Sequence, residues 1–321
     1  MSVLFVGTER ECFYSDIDDI DTGTAFDSAY ARSSINLWHS HVYAWSPYWS
    51  PVTEAWMHFD LVQAGTSSGY SAWRFILQTD AGVNVASIVG GGNGGPLSIA
   101  RWTGSAWSAS GTLGTLTGTT RGTFDCRVVC GASGSIELFK DGLSLGILTG
   151  AFGANIGRVV FTGGNNTQPK ISQVVIADEM TLGWKVKTIP AIGAGANTDW
   201  DGAYTDINEN SQVTDHTFMA GDANDEQTFV GAGYTPAGGV EIAAVVVNAR
   251  LKKGNSGPTQ AQLMLRKGGT DYFSATKSLA AGAFGFQPVQ HIFEVDPDTG
   301  VTWTPSDAGD ASLEFGMKAI T

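Results

Sequence analysis

Two runs of oxygen side chains could ligate a hard cation. Asp16-Ile17-Asp18-Asp19-Ile20-Asp21 places four carboxylates, Asp16, Asp18, Asp19 and Asp21, in six residues. Asp222-Ala223-Asn224-Asp225-Glu226 places Asp222, Asn224, Asp225 and Glu226 in five. Ca²⁺ takes about six to eight oxygens, and one loop can supply several of them. Neither run has the Gly and terminal Glu spacing of an EF-hand, so a solvated acidic loop is the competing reading of each. His39 and His41 share a strand face, and His58 is the next imidazole along the chain. Without a clear third ligand they do not make a zinc site.

Nucleophile and phosphate motifs fail on context. Gly65-Thr66-Ser67-Ser68-Gly69 matches G-x-S-x-G, but a nucleophile elbow needs a helix after the serine. Residues 70–77 instead alternate like a strand. Gly254-Asn255-Ser256-Gly257-Pro258 lacks the Asp that precedes the serine in the protease signature it echoes. The Gly90–Gly95 run lacks the Lys-Ser/Thr pair of a phosphate loop, and no helical pattern follows. Glycoside hydrolysis needs two facing carboxyl groups, and the E-x-D-x-x-E strand of jelly-roll glucanases does not occur. No catalytic residue is assigned, and an enzyme is not expected.

The remaining chemistry is aromatic. Trp38-His39-Ser40-His41-Val42-Tyr43-Ala44-Trp45-Ser46-Pro47-Tyr48-Trp49 concentrates rings, and Pro47 breaks it into a loop. Trp45, Tyr48 and Trp49 are candidates for sugar stacking or subunit contact. Core packing is the alternative, because Trp also fills sandwich interiors. Trp102 and Trp107 flank Thr103-Gly104-Ser105-Ala106, a spacing that predicts a hairpin with cross-strand aromatics.

The elements that must hold these residues are strands. Glycine supplies 42 of 321 residues and charged residues only 15%, which disfavours helices and favours turns. Hydrophobic residues at 42% suffice for a core. Period-2 alternation recurs, as in Met57, Phe59 and Leu61 against Trp56, His58 and Asp60. Strands are predicted at 35–44, 54–61, 71–79, 83–89, 97–102, 124–130, 134–140, 156–162 and 171–177. In the second half they are predicted at 184–189, 213–219, 226–231, 239–251, 259–267, 271–278, 286–295 and 312–320. Asp80-Ala81-Gly82, Asp141-Gly142, Lys267-Gly268-Gly269 and Asp296-Pro297-Asp298-Thr299-Gly300 punctuate them. The expected fold class is all-β, two tandem β-sandwiches of jelly-roll type, at 1–182 and 183–321. Ile192-Gly193-Ala194-Gly195-Ala196-Asn197 reads as the linker between them.

Charge and cysteine set the partners. The net charge of −13, from 18 basic and 31 acidic residues, disfavours nucleic acid and anionic membranes. No apolar run is long enough to insert in a bilayer. The first ten residues lack a basic stretch and their apolar run stops at Gly7, so no secretory leader is expected. Cys126 and Cys130 lie on one predicted strand, about 13 Å apart at ~3.3 Å per residue, too far for a disulfide. All three cysteines read as free thiols of a protein made in a reducing cytosol.

A resemblance covers most of the chain through short motifs. Glu54-Ala55-Trp56-Met57-His58-Phe59 and Gly134-Ser135-Ile136-Glu137-Leu138-Phe139-Lys140-Asp141-Gly142 resemble the concanavalin-like, laminin-G-type sandwich. The segments 171–184, 200–202, 241–250, 296–304 and 314–318 then follow in an order similar to structural proteins of tailed bacteriophages and phage-like gene transfer agents. The resemblance implies a virion component, tail-associated or capsid-decorating, made in the bacterial cytoplasm. Its partners would be other virion proteins and copies of itself, with a trimer as the simplest closed arrangement. The alternative is an adhesion module for host surface glycan, and a third reading is a polysaccharide depolymerase. No cofactor is expected, with Ca²⁺ at the acidic runs as the candidate ion.

Overall fold

Alternation in the sequence becomes strand pairing in the computed structural model. It describes the chain except for residues 1, 16–20, 24–26, 38–42, 65–71, 93–94, 119, 165–167, 208–216, 255 and 280–284. Among the described residues one α-helical turn, Pro305–Ala308, and two short 3₁₀ turns interrupt an all-β chain. Two compact units form, Met1–Lys187 and Thr188–Thr321.

The first unit is a β-sandwich. Its first sheet runs, in spatial order, Leu143–Phe152, Gly131–Lys140, Arg121–Val129, Glu54–Ala64, Gln168–Ala177, Ser34–Asn36 and Asp21–Gly23, with Val3–Gly7 also paired to Gln168–Ala177. Its second sheet runs Trp107–Ala109, Pro96–Trp102, Asn84–Gly90, Trp73–Gln78, Arg158–Thr162, Tyr43–Trp45 and Tyr14–Ser15, with Gly114–Thr115 on Pro96–Trp102. Pairing is antiparallel throughout.

The predicted inward face of residues 54–61 packs inward. Met57, Phe59 and Leu61 meet Phe124, Cys126, Trp73, Phe75, Leu77 and Phe161 in one fully buried core. Phe59 meets Phe75 edge-on at 5.2 Å and Phe75 meets Phe161 at 4.9 Å. Each such side chain contributes about 1.5–3 kcal/mol on leaving water. Trp73 also needs space from the next strand, because a Cβ on Gly90 would lie 2.0 Å from its Cζ2. Asp141 and Gly142 turn the hairpin with φ of 51° and 81°, the positive pair of a tight β-hairpin. All three cysteines are free, with Cys12 and Cys126 buried. Burial pushes the Cys130 thiol up to about 11.

The second unit has a sheet ordered Ala191–Thr198, Glu226–Gly231, Glu314–Ile320, Gln260–Lys267 and Thr270–Phe273, with Lys277–Ser278 on Gln260–Lys267. Val245–Leu251 pairs separately with Gln287–Phe293. Val247, Leu251, Val289 and Phe293 of that pair share a core with Ala261, Leu263, Leu265 and Trp303.

Several expectations change, among them the strand predicted at 239–251, which begins at Val245. Residues 184–189 form no strand: Lys185, Val186 and Lys187 are held on the first unit by side-chain hydrogen bonds. For the same reason the first unit ends at 187 rather than 182. The presumed linker is the strand Ala191–Thr198; its small residues fit over the neighbouring strands, where a Cβ on Gly195 would meet Thr228 Oγ1 and Glu314 Oε2 at 2.3 Å. Leu143–Phe152, absent from the predicted strands, completes the Asp141-Gly142 hairpin. Most of the predicted strand at 213–219 lies outside the described residues, and 217–219 are not in a strand.

Candidate functional site

The outward faces of the first unit's two sheets differ in chemistry. Strand alternation sends Trp56, His58 and Asp60 outward from the first sheet, beside Asp125 and Thr123 of the neighbouring strand. His58, Asp60 and Asp125 are nonetheless buried, because residues 178–187 lie over them. Thr181 Oγ1 donates to Asp125 Oδ1 at 2.7 Å, and His58 Nδ1 lies 2.9 Å from the same oxygen. Asp60 accepts from Thr123 Oγ1 at 2.7 Å and from Gln173 Nε2, with Lys185 Nζ at 3.8 Å. Gln173 reaches Asp60 from a bulge where its φ is 53°, and its Oε1 accepts from the Val186 backbone N–H at 3.0 Å. Burial raises the Asp60 carboxyl; the Thr123 hydrogen bond, Lys185 and His58 oppose it without cancelling it. This face is roofed, and its polar atoms hold the roof.

The second sheet's outward face carries rings and guanidinium groups. Tyr14 pairs with Trp45 across the strands, and their rings stack at 6.1 Å and 17°. At the opposite edge Trp102 and Trp107 are cross-strand partners, as the sequence predicts, with centroids 5.2 Å apart. The Arg74 guanidinium lies 4.6 Å from the Trp107 centroid and donates to Ser87 Oγ at 3.2 Å. The Arg158 guanidinium lies 4.7 Å from the Tyr48 centroid and donates through Nε to Gln78 Oε1 at 2.7 Å. Ile76 and Val160 face each other in the register between the two arginines. Arg158 pairs with Gln78, so it lies four residues, about 13 Å, from Arg74 along the strand. Burial lowers the Arg74 guanidinium from its ordinary value and raises the Tyr14 phenol. None of the residues in this sheet's strands is an Asp or a Glu.

The three predicted aromatics separate. Trp45 and Tyr48 lie at this face, Tyr48 being 53% exposed. Trp49 turns inward, stacks on Phe5 at 6.3 Å and donates to the Ile156 carbonyl at 3.2 Å. Arg74, Arg158 and Tyr14 are missing from the sequence expectation. The available signal was the outward phase of Arg74, Ile76 and Gln78 in an alternating strand.

The acidic runs do not gather into a metal site among the described residues. Asp16, Asp18 and Asp19 lie outside those residues, as do His39, His41 and the serine motif at 65–69. Asp21 lies in a strand opposite Asn36. In the second run the side chains diverge. Asp225 Oδ2 accepts from the Asp222 N–H at 2.8 Å, while Glu226 turns to Lys318 at 2.7 Å and Asn197 at 3.1 Å. Asn224 takes a φ of 73° to make that turn.

No protein-family model matches the chain, and no curated protein matches it. Several solved structures are similar at low identity. The endo-β-1,4-glucuronan lyase of the fungus Trichoderma reesei aligns at 11% identity and a TM-score of 0.33, over 56% of this chain and 92% of its own. The cellulose induced protein Cip1 aligns at 12% and 0.39, over 54% and 94%. The carbohydrate recognition domain of Emp46p, in a potassium-bound form, aligns at 12% and 0.34, over 46% and 83%. The sandwich fold rests on the strand pairing described above, and these distant likenesses add nothing to it about ligand or reaction.

Proposed function

We propose that the first unit is a glycan-binding module whose binding surface is the outward face of its second sheet. One observation carries this reading. The aromatic pairs Tyr14–Trp45 and Trp102–Trp107 stand at opposite edges of one sheet face, partly exposed, with Tyr48 beside Arg158. Faces of sugar rings bear C–H groups that pack on aromatic rings by dispersion, and rigid rings lose little entropy in doing so. The module holds its glycan without cleaving it; release of reducing ends from a bound polysaccharide would overturn that part. Retardation in gels containing soluble polysaccharides tests the binding. A Trp45→Ala, Trp107→Ala double variant is expected to bind about tenfold or more weakly, the range of binding hot spots. Unchanged retardation in that variant, or none with any polysaccharide, would sink the proposal.

We further propose that the module works on a bacteriophage particle, packed against copies of itself and neighbouring virion proteins. The edge strand Leu143–Phe152 favours assembly. Among the described residues it has a sheet partner on one side only, and it exposes Leu143 by 73% and Ile147 by 56%. Unpaired edges with apolar side chains template contacts between chains. A Leu143→Lys, Ile147→Lys variant should shift the species seen by light scattering toward the monomer. A wild-type protein that is monomeric and absent from purified particles would refute this setting.

A further inference from the structure

We infer that the glycan is acidic, a chain bearing carboxylate or sulfate groups, and that Arg74 and Arg158 select it. This rests on the glycan-binding reading and names its substrate class. Three other arginines pair with carboxylates, while Arg101 meets the Ala151 carbonyl at 3.3 Å. Arg32 meets Glu9 at 2.7 Å, Arg127 meets Glu54 at 2.7 Å, and Arg266 meets Asp271 at 2.8 Å. Among the described residues neither Arg74 nor Arg158 makes an ion pair with a carboxylate; each is held by a neutral oxygen and an aromatic ring. Those oxygens occupy one donor on each guanidinium, so most of the N–H donors remain for a ligand. Asp80, in the turn packed on Gly157, makes no ion pair with Arg158.

This arrangement runs against the composition of the molecule. The chain carries 31 acidic residues and a net charge of −13, yet the strands of this sheet contain no acid. A polyanion approaching at random meets repulsion, so binding must come from a local cationic patch. Partial burial against Trp107 strengthens any charge pair that Arg74 makes, because the local dielectric is low. A planar guanidinium also matches a carboxylate or sulfate with paired hydrogen bonds. The separation of about 13 Å calls for an oligosaccharide with repeated anionic groups, laid over the half-buried Ile76 between the two arginines.

Matched polysaccharides test the inference. Polygalacturonate and its carboxyl-reduced form, and dextran sulfate and dextran, would be offered to the full chain by calorimetry and affinity electrophoresis. Binding to either acidic polymer that weakens at least about tenfold in its neutral counterpart supports the inference; which pair responds separates carboxylate from sulfate. Arg74→Gln and Arg158→Gln should each weaken acidic binding by about tenfold, the worth of a charge-assisted hydrogen bond. Circular dichroism melting shows whether each variant is folded, and Arg158→Lys serves as the milder second change. Equal binding to acidic and neutral partners, or acidic binding that survives both Gln substitutions, overturns the acidic selection and leaves the glycan reading standing. Binding to none of the four polymers, nor to a wider panel of neutral and acidic polysaccharides, overturns both.

Discussion

Thr181 shows how one hydroxyl closes a sheet face. It is fully buried and donates at 2.7 Å to a carboxylate that also faces His58. Thr181→Val keeps the shape and removes the donor, so a buried Asp125 oxygen loses a charge-assisted bond. The expected cost is about 1.5–3 kcal/mol, read from urea denaturation; a change below about 0.5 kcal/mol, the ordinary range of surface substitutions, would show that the hydroxyl does not hold the roof. The same bond could not be read from the sequence. Asp125 and Thr181 are far apart along the chain, and strand alternation alone sends His58 and Asp60 toward solvent. The aromatic site was partly legible for the opposite reason. Trp45 and Tyr48 lie at the Pro-broken end of an aromatic stretch, whereas Arg74 gains meaning only when Trp107 is brought over it from another strand.

Among the elements, turn chemistry was the most legible feature. Asp141-Gly142 and the Trp102–Trp107 hairpin follow from residue type and spacing, since positive φ and cross-strand rings are local demands. The strand after Asp141-Gly142 escaped because a register shift near Leu145 breaks its alternation, and Leu143 and Ile147 are strongly exposed. Residues 184–189 mislead in the other direction. Trp184, Val186 and Thr188 alternate with lysines and isoleucine as a strand would, but the Val186 N–H is taken by a glutamine side chain instead of a backbone ladder. Glycine inside strands marks close approach. Gly90→Ala would place a methyl 2.0 Å from Trp73 Cζ2 and 2.7 Å from Leu116 Cδ1. Trp73 is fully buried and hydrogen-bonded to Gln63 at 3.0 Å, so it cannot swing away. A loss of about 1–3 kcal/mol is expected, and a variant as stable as the parent would show that the second sheet gives way more readily than its packing implies.

At the scale of the molecule, each unit has its own core and its own polar fastening. The second unit is fastened by Lys267, whose Nζ lies 2.5 Å from the buried Asp296 and 2.9 Å from Asp307. Burial works against both charges, yet the hydrogen bonds win. Lys267 is held up to about 12, and the Asp296 carboxyl is held below its ordinary range. Asp296 therefore contributes stability above its ordinary value of 3.8, and that contribution is lost as pH falls through the lower folded value. Lys267 contributes below its ordinary 10.5, and its share is lost as pH rises through about 12. Lys267→Met leaves a buried carboxylate alone and should cost about 3–5 kcal/mol. Calorimetry should show the second unit's transition falling while the first unit's stays in place; a shared shift would mean that the two cores melt together. The roof over the first sheet carries a mechanical consequence, because its last residue, Lys187, is joined directly to Thr188. Tension applied through the second unit would load the Lys187–Ala29 contact first, then Val186–Gln173, then Lys185–Asp60, and Thr181–Asp125 last. Bonds met one after another peel like a zipper at low force, so stretching the chain would bare His58 and Asp60 while the sandwich beneath them is still intact.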